Sequence, residues 1–254
     1  MLLCLDVGNS HIFGGVFKNE KLQCSFRHVT YPGVTSDQLG IFLKTVLREN
    51  NISDIIDRIA ICSVVPSIDY SLVATCKKYF NLDPFFLSAA IDTGIKNYQA
   101  GTGADLIAGN LAATTLYPQQ HLIVVDLGTA TTITAINHQL YFLGGAILAG
   151  LKTSMTSLQD NTAKLPPVEI LQPQNIVSNQ TIASIQSGLY YGHLGAMREI
   201  IAQIKTRCFN SEKSLVISTG GFAHLFENEK LFDVIIPNLV LEGLKIAANK
   251  HKTL

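Results

Sequence analysis

Charge is scarce in this chain. Asp, Glu, Lys and Arg make up only 15% of its 254 residues, against 47% apolar. Most of such a chain is packed rather than solvated, and its length suits one large domain or two small ones with a substantial core. An excess of either sign is missing as well. The 19 basic residues balance the 19 acidic ones, which argues against a general nucleic-acid or anionic-membrane binder and leaves room for a local basic site. CxxC spacing is absent. The five cysteines, Cys4, Cys24, Cys62, Cys76 and Cys208, are odd in number and scattered in apolar contexts. That favours a reducing cytosol over a disulfide framework. No apolar run approaches the length of a membrane span, and the opening eight residues are too short and uncharged for a signal peptide. No low-complexity segment is present. The expectation is a cytoplasmic protein without a membrane or nucleic-acid partner.

What is present centres on Leu122–Thr132, LIVVDLGTATT. Leu122 to Val125 are apolar and mostly β-branched, as in a buried strand. Asp126 ends the run, Gly128 allows a tight turn, and Thr129, Thr131 and Thr132 supply hydroxyls. A carboxylate at a strand tip suits a cation, and a Gly-Thr turn offers N–H groups and a hydroxyl to phosphate. A strand ending in an Asx-turn reads the same way. The chain also begins with this phrase: Leu2 to Asp6, then Val7, Gly8, Asn9 and Ser10. The repetition suggests a duplicated phosphate-binding half.

Around these tips the pattern predicts strands at Leu2–Val7, Ile12–Phe17 and Leu22–Val29, then a helix from Thr35. There Thr35 and Gln38 have capping-box spacing. A strand at Arg58–Val65, a helix over Asp69–Phe80 and a short strand at Pro84–Leu87 complete βββαβαβ, the unit of the ribonuclease-H-like fold. Lys96–Thr102 reads as a polar loop between glycines, leading into a small-residue helix. Thr102 and Asp105 again have capping-box spacing, so a structural role for Asp105 stands beside a functional one. The second half repeats the meander at Leu122–Asp126, Thr131–Ile136 and Tyr141–Ile147. Helices are expected over Leu151–Asp160 and Thr181–Lys205, the latter weakened by Gly188, Gly192 and Gly195. These glycines permit close approach of another helix or a ligand. Leu215–Ser218 runs into Thr219-Gly220-Gly221, either a backbone donor pocket or a tight strand-to-helix turn. Phe232–Ile236 and a helix from Asn238 to about Lys250 close the chain. The expected architecture is α/β: a duplicated ribonuclease-H-like (actin-like ATPase) fold, with halves 1–118 and 119–254, a nucleotide site between them and the closing helix packed back on the first half.

In order and spacing, several short motifs resemble the type III pantothenate kinases of the actin/hexokinase/Hsp70 phosphotransferase superfamily. They are DVGNS at 6–10, SVVP at 63–66, GAD at 103–105, DLGTATT at 126–132 and GGAILAGL at 144–151. TAKLP at 162–166, SIQSG at 184–188, TGG at 219–221 and LEGL at 241–244 complete the set. The resemblance implies transfer of phosphate from ATP to pantothenate, giving 4′-phosphopantothenate, the first step toward coenzyme A. It implies that Asp6, Val7, Gly8, Asn9, Ser10, His11, Ile12 and Phe13 wrap the ATP phosphates, with Asp6 near Mg²⁺. Thr129 would touch phosphate, and Asp126 would hold a monovalent cation, K⁺ or NH₄⁺. Asp105 would be the general base, and Tyr98, Gly103, Ala104, Asp105, Leu106 and Thr181 would hold pantothenate. A homodimer is also implied.

Two positions depart from the family pattern. Leu106 stands where the family usually has arginine, and Ala149 where it usually has proline. The first touches the substrate loop and keeps a second expectation open: a nucleotide-binding regulatory protein that has lost turnover. A sugar kinase or exopolyphosphatase of the same superfamily is a third. Basic residues are scarce near the motifs, Lys96 and Lys152 being the candidates, so metal ions and backbone amides are expected to neutralise the triphosphate.

Overall fold

β1 (Leu2–Val7) is buried along nearly its whole length, and its neighbours explain why. It pairs antiparallel with β2 (His11–Lys18) on one side and parallel with β4 (Arg58–Ser63) on the other. β3 (Lys21–Val29) and β5 (Phe85–Leu87) flank these, giving the order β3-β2-β1-β4-β5. Leu3, Leu5 and Val7 alternate onto one face. They meet Leu39, Leu43 and Leu47 from α1 (Ser36–Glu49) and Leu72 from α2 (Asp69–Thr75). The Thr35 capping box is formed: the Gln38 N–H donates to Thr35 Oγ1 at 3.2 Å, and the Thr35 N–H to Gln38 Oε1 at 2.9 Å. The helix expected over Asp69–Phe80 changes character, since after α2 the residues Cys76–Phe80 form a π-turn. This computed structural model describes residues 1–53 and 55–251. No helix among them is long and apolar enough to cross a membrane.

The opposite face of the first sheet is covered by α6 (Leu239–Lys250), whose Leu241 side chain reaches Gly15. Lys245 of α6 is buried and held by Glu242 and Glu20 at 2.8 and 2.9 Å. α3 (Ala104–Leu116) approaches α6 so closely that a Cβ on Gly243 would sit 1.7 Å from the Ala108 carbonyl oxygen.

The second sheet repeats the first. β6 (His121–Leu127) pairs antiparallel with β7 (Ala130–Ile136) and parallel with β9 (Ser214–Thr219), and β8 (Phe142–Ala149) and β10 (Val234–Ile235) lie outside them. The order β10-β9-β6-β7-β8 is the same arrangement of meander and parallel strands. This is the duplicated ribonuclease-H-like architecture. Ile123, Val125 and Leu127 face Leu189, Leu194, Met197 and Ile201 of α5 (Thr181–Arg207). That packing carries the helix unbroken through Gly188, Gly192 and Gly195, overriding their low propensity. The strand expected at Phe232–Ile236 shrinks to Val234–Ile235. α4 (Leu151–Asp160) falls where the pattern puts it. By internal contact the chain forms two compact units. One comprises Met1–Gly94, Tyr98–Ala112 and the segment from Leu239; the other comprises Ile95–Asn97 and Ala113–Asn238.

Helix propensity alone says that Gly243→Ala should stabilise the protein, by up to about 1 kcal/mol. The α3–α6 approach says the opposite, since overpacking costs about 1–3 kcal/mol. We expect a Tm several degrees below wild type in a thermal melt. An unchanged or higher Tm would mean that the two helices do not need this glycine.

Candidate active site

The β1–β2 turn is the first tip. Val7 and Ile12 face each other across the last pair and are both buried, so their side chains belong to the core. Gly8 to His11 form the accessible rim. The turn is closed by the Gly8 N–H on the His11 carbonyl at 3.0 Å. Thr30, just beyond β3, braces it: its N–H donates to the Ser10 carbonyl at 3.0 Å and its hydroxyl to the Gly8 carbonyl at 2.7 Å. These carbonyls are engaged by the chain's own donors. Phe13 lies farther along β2, with the Arg27 guanidinium 4.2 Å from its ring centre.

Behind the tip, the Cys62 thiol donates to Asp6 Oδ1 at 3.5 Å. Burial, then the charges of Asp6 and Asp105, push the Cys62 thiol far up, so it stays a neutral donor. Both carboxylates therefore act on one buried thiol, which places Asp6 and Asp105 in the same neighbourhood. Asp105 opens α3. The helix starts at Ala104, so Thr102 does not occupy the position just before it that a capping box requires. The Asp105 carboxylate instead accepts the Leu106 N–H at 2.7 Å. Burial raises its pKa above the ordinary carboxylate value, and that hydrogen bond partly offsets the rise. A Cβ on Gly103 would sit 2.5 Å from Asp105 Oδ1. The absent side chain lets the carboxylate lie directly against the Gly103 backbone. Tyr98 is half-buried, and desolvation raises its pKa, partly offset by the nearby Asn110 of α3. Leu106 is half-buried, and its N–H is already committed to Asp105.

The β6–β7 turn in the second unit has the same construction. The Gly128 N–H donates to the Ala130 carbonyl at 3.1 Å. The Thr129 carbonyl accepts from the Gly150 N–H at 3.0 Å and the Thr153 hydroxyl at 2.6 Å, while Thr129 itself is exposed. Any side chain on Gly150 would collide with the Gly128 and Thr129 carbonyls, at 2.4 and 2.5 Å. That contact is what the glycine ending GGAILAG provides. Thr219-Gly220-Gly221 is a tight turn packed on the tip. Gly220 has φ +91°, and a Cβ there would lie 2.4 Å from Asp126 Oδ1 and 2.6 Å from the Leu127 backbone. Thr131 is buried, with its hydroxyl 2.8 Å from His193 Nε2. Burial lowers the His193 pKa, so the ring stays neutral at physiological pH.

Thr181, the first residue of α5, lies elsewhere in this unit. It lines a cavity of about 700 Å³ with Ala149, Ser154, Leu158 and Gly188. A Cβ at Gly188, Gly192 or Gly195 would meet nothing within 4 Å, so no other part of the chain among the described residues makes the close approach expected of them. Lys96 is more ordered than a polar loop suggests. Its N–H donates to the Leu140 carbonyl and its carbonyl accepts from Phe142, at 2.9 and 3.0 Å. Thr30, Cys62, Thr153 and His193 are the contributors that the sequence reading missed. Each acts on its tip from 20 or more residues away, where no spacing rule operates.

A family model described as type III pantothenate kinase matches residues 2–203. The type III pantothenate kinase of Legionella pneumophila (strain Corby) is 54% identical over 252 residues, covering 98% of each chain. That of Elusimicrobium minutum is 44% identical over 257 residues and covers 100% of both. Among solved structures, a Sinorhizobium meliloti protein assigned as a 2-dehydro-3-deoxygalactonokinase superposes with TM-score 0.66 at 12% identity. It covers 100% of this chain and 98% of its own, a likeness of fold. By family model and full-length identity, this chain belongs to the type III pantothenate kinases.

Proposed function

We propose that this protein transfers the γ-phosphoryl group of ATP to the hydroxyl of pantothenate, giving 4′-phosphopantothenate and ADP on the route to coenzyme A. The observation that carries the reading is the desolvated carboxylate of Asp105, which shares a buried thiol neighbour with Asp6 at the glycine turn. Phosphoryl transfer asks mainly for positioning and charge neutralisation. Asp105 accepts the hydroxyl proton as the oxygen–phosphorus bond forms and the bond to the β-phosphate oxygen breaks. Gly8 to His11 hold phosphate oxygens through backbone N–H groups, and the Thr129 hydroxyl adds a further contact.

Carboxylate oxygens suit hard cations. Asp6 would hold Mg²⁺, and Asp126, against which Gly220 packs, a monovalent cation. Bound there, the ions supply positive charge for the triphosphate. Tyr98, the 103–106 loop and Thr181 hold pantothenate in this reading. The exposed α5 face bearing Gly188, Gly192 and Gly195 is the surface we assign to a homodimer. A cytoplasmic setting fits the balanced charge and the free cysteines. Nothing in the fold or the relatives favours a regulator without turnover.

Asp105→Asn separates catalysis from capping. The amide oxygen still accepts the Leu106 N–H, while the proton acceptor is lost, so kcat should fall by about 10²–10⁴-fold. A carboxylate whose pKa is raised on folding favours the folded state below its unfolded pKa and loses that contribution as pH rises through the folded value. At neutral pH the ionised group is therefore a burden, and the variant's Tm should equal or exceed wild type. In wild type, kcat/KM should drop on acidification with a midpoint above the usual aspartate range. Undiminished kcat in the folded variant would remove the base assignment.

Asp126→Asn should weaken the potassium dependence and ATP affinity together. An unchanged potassium titration would dissociate this residue from the cation. Leu106→Arg tests how the substrate carboxylate is held. A hydrogen bond to a charged group contributes about 1.5–3 kcal/mol, or roughly 10- to 100-fold in affinity. We expect KM for pantothenate to fall in Leu106→Arg, with kcat little changed. Unaltered KM in both Leu106→Arg and Lys96→Ala would place the carboxylate elsewhere.

A further inference from the structure

At the opposite end of β6 from Asp126, three side chains converge that the kinase reaction does not use. His121 begins the strand, buried, with its ring 4.5 Å from that of Phe209. His138 comes from the β7–β8 turn and Glu212 from the turn after α5, both exposed. Nδ1 of His138 lies 3.0 Å from Nε2 of His121, and Oε2 of Glu212 lies 3.1 Å from the same nitrogen. One ligand atom from each falls within 4.8 Å of the others. Local structure aims the two exposed groups. The Asn137 side chain accepts the N–H groups of Gln139 and Tyr141 at 3.0 and 2.9 Å, which fixes the turn carrying His138. Asn210 and Ser211 are both left-handed, at φ 50° and 63°, and return the chain so that Glu212 faces His121.

Protons serve this cluster poorly. A neutral His121 has one hydrogen or one lone pair at Nε2. One hydrogen must be shared between two acceptors, and a lone pair would face the Glu212 carboxylate. A single cation accepts all three lone pairs at once. Tetrahedral zinc, with bonds of about 2.0–2.1 Å, separates its ligand atoms by roughly 3.3 Å, close to the two spacings found here. Two imidazoles and one carboxylate suit Zn²⁺, Co²⁺ or Ni²⁺ rather than Mg²⁺ or K⁺.

We propose that His121, His138 and Glu212 form a divalent transition-metal site with water as the fourth ligand, separate from the active site. Four residues of extended strand separate His121 from Asp126, five steps that span about 16 Å. The metal ties the start of β6 to the two turns.

The test is calorimetric titration of chelator-stripped, dialysed protein with ZnCl₂, with Co²⁺ absorption as a report on coordination. Wild type should bind one equivalent. The double variant His138→Ala/Glu212→Gln should bind at least about 10-fold more weakly, with its metal-free Tm and kinase turnover unchanged. Cys208→Ser, which removes an exposed thiol, should bind as wild type does. No one-to-one binding by wild type at millimolar zinc would overturn the proposal. So would wild-type affinity in the double variant, or loss of binding in Cys208→Ser.

Discussion

A strand that ends in a carboxylate and presents it to a ligand leaves a turn whose backbone carbonyls have no strand partner. Left unpaired and partly buried, such groups cost free energy and let the turn collapse onto itself. Both units answer this in the same way. The residue after the third strand donates its N–H to the turn, Thr30 to the Ser10 carbonyl and Gly150 to that of Thr129, each at 3.0 Å. A threonine hydroxyl adds a second bond, from Thr30 in one unit and Thr153 in the other. The meander is thus more than a scaffold, because its third strand delivers the brace. Gly150 and Gly220 follow from crowding at the same tip, since a side chain on Gly150 would meet the Gly128 and Thr129 carbonyls and one on Gly220 the Asp126 carboxylate and the Leu127 backbone.

Desolvation then sorts the polar groups behind the tips. The Cys62 thiol and the His193 ring are both held neutral by burial, so one can hydrogen-bond to Asp6 and the other to Thr131 without adding charge behind the tips. Asp105 is held the other way. Burial makes its ionised form costly, and the Leu106 N–H limits that cost. A carboxylate in this condition is a stronger base than a solvated one, which is what accepting a hydroxyl proton asks of it. The Leu106 N–H therefore has an occupation that the side chain at 106 does not change.

Local signals were legible in the sequence. The apolar run ending in Asp-x-Gly marked both tips, and the Thr35–Gln38 spacing marked a helix start that forms as read. The same spacing at Thr102–Asp105 misled, because α3 begins at Ala104 and Gly103 brings the carboxylate round onto its own helix. The helix expected over Thr181–Lys205 forms as α5, where burial of Leu189, Leu194, Met197 and Ile201 outweighs three glycines. Conversely, Lys96 sits in a stretch of turn-forming residues yet pairs with the edge of β8. The braces themselves were illegible, since Thr30, Cys62, Thr153 and His193 gain their roles only when distant segments meet. The motifs GGAILAG and TGG were visible as patterns, and the structure supplies a reason for two of their glycines: Gly150 and Gly220 mark points where backbone lies against a tip.

The most direct measurement is ADP release by the purified protein with ATP and Mg²⁺, with pantothenate and potassium each present or withheld, and the product identified by mass. Two braced tips and a desolvated carboxylate at Asp105 predict ADP that appears only with pantothenate, rises with potassium and matches the phosphorylated product mole for mole. ADP at the same rate without pantothenate, or none with it, would contradict the account.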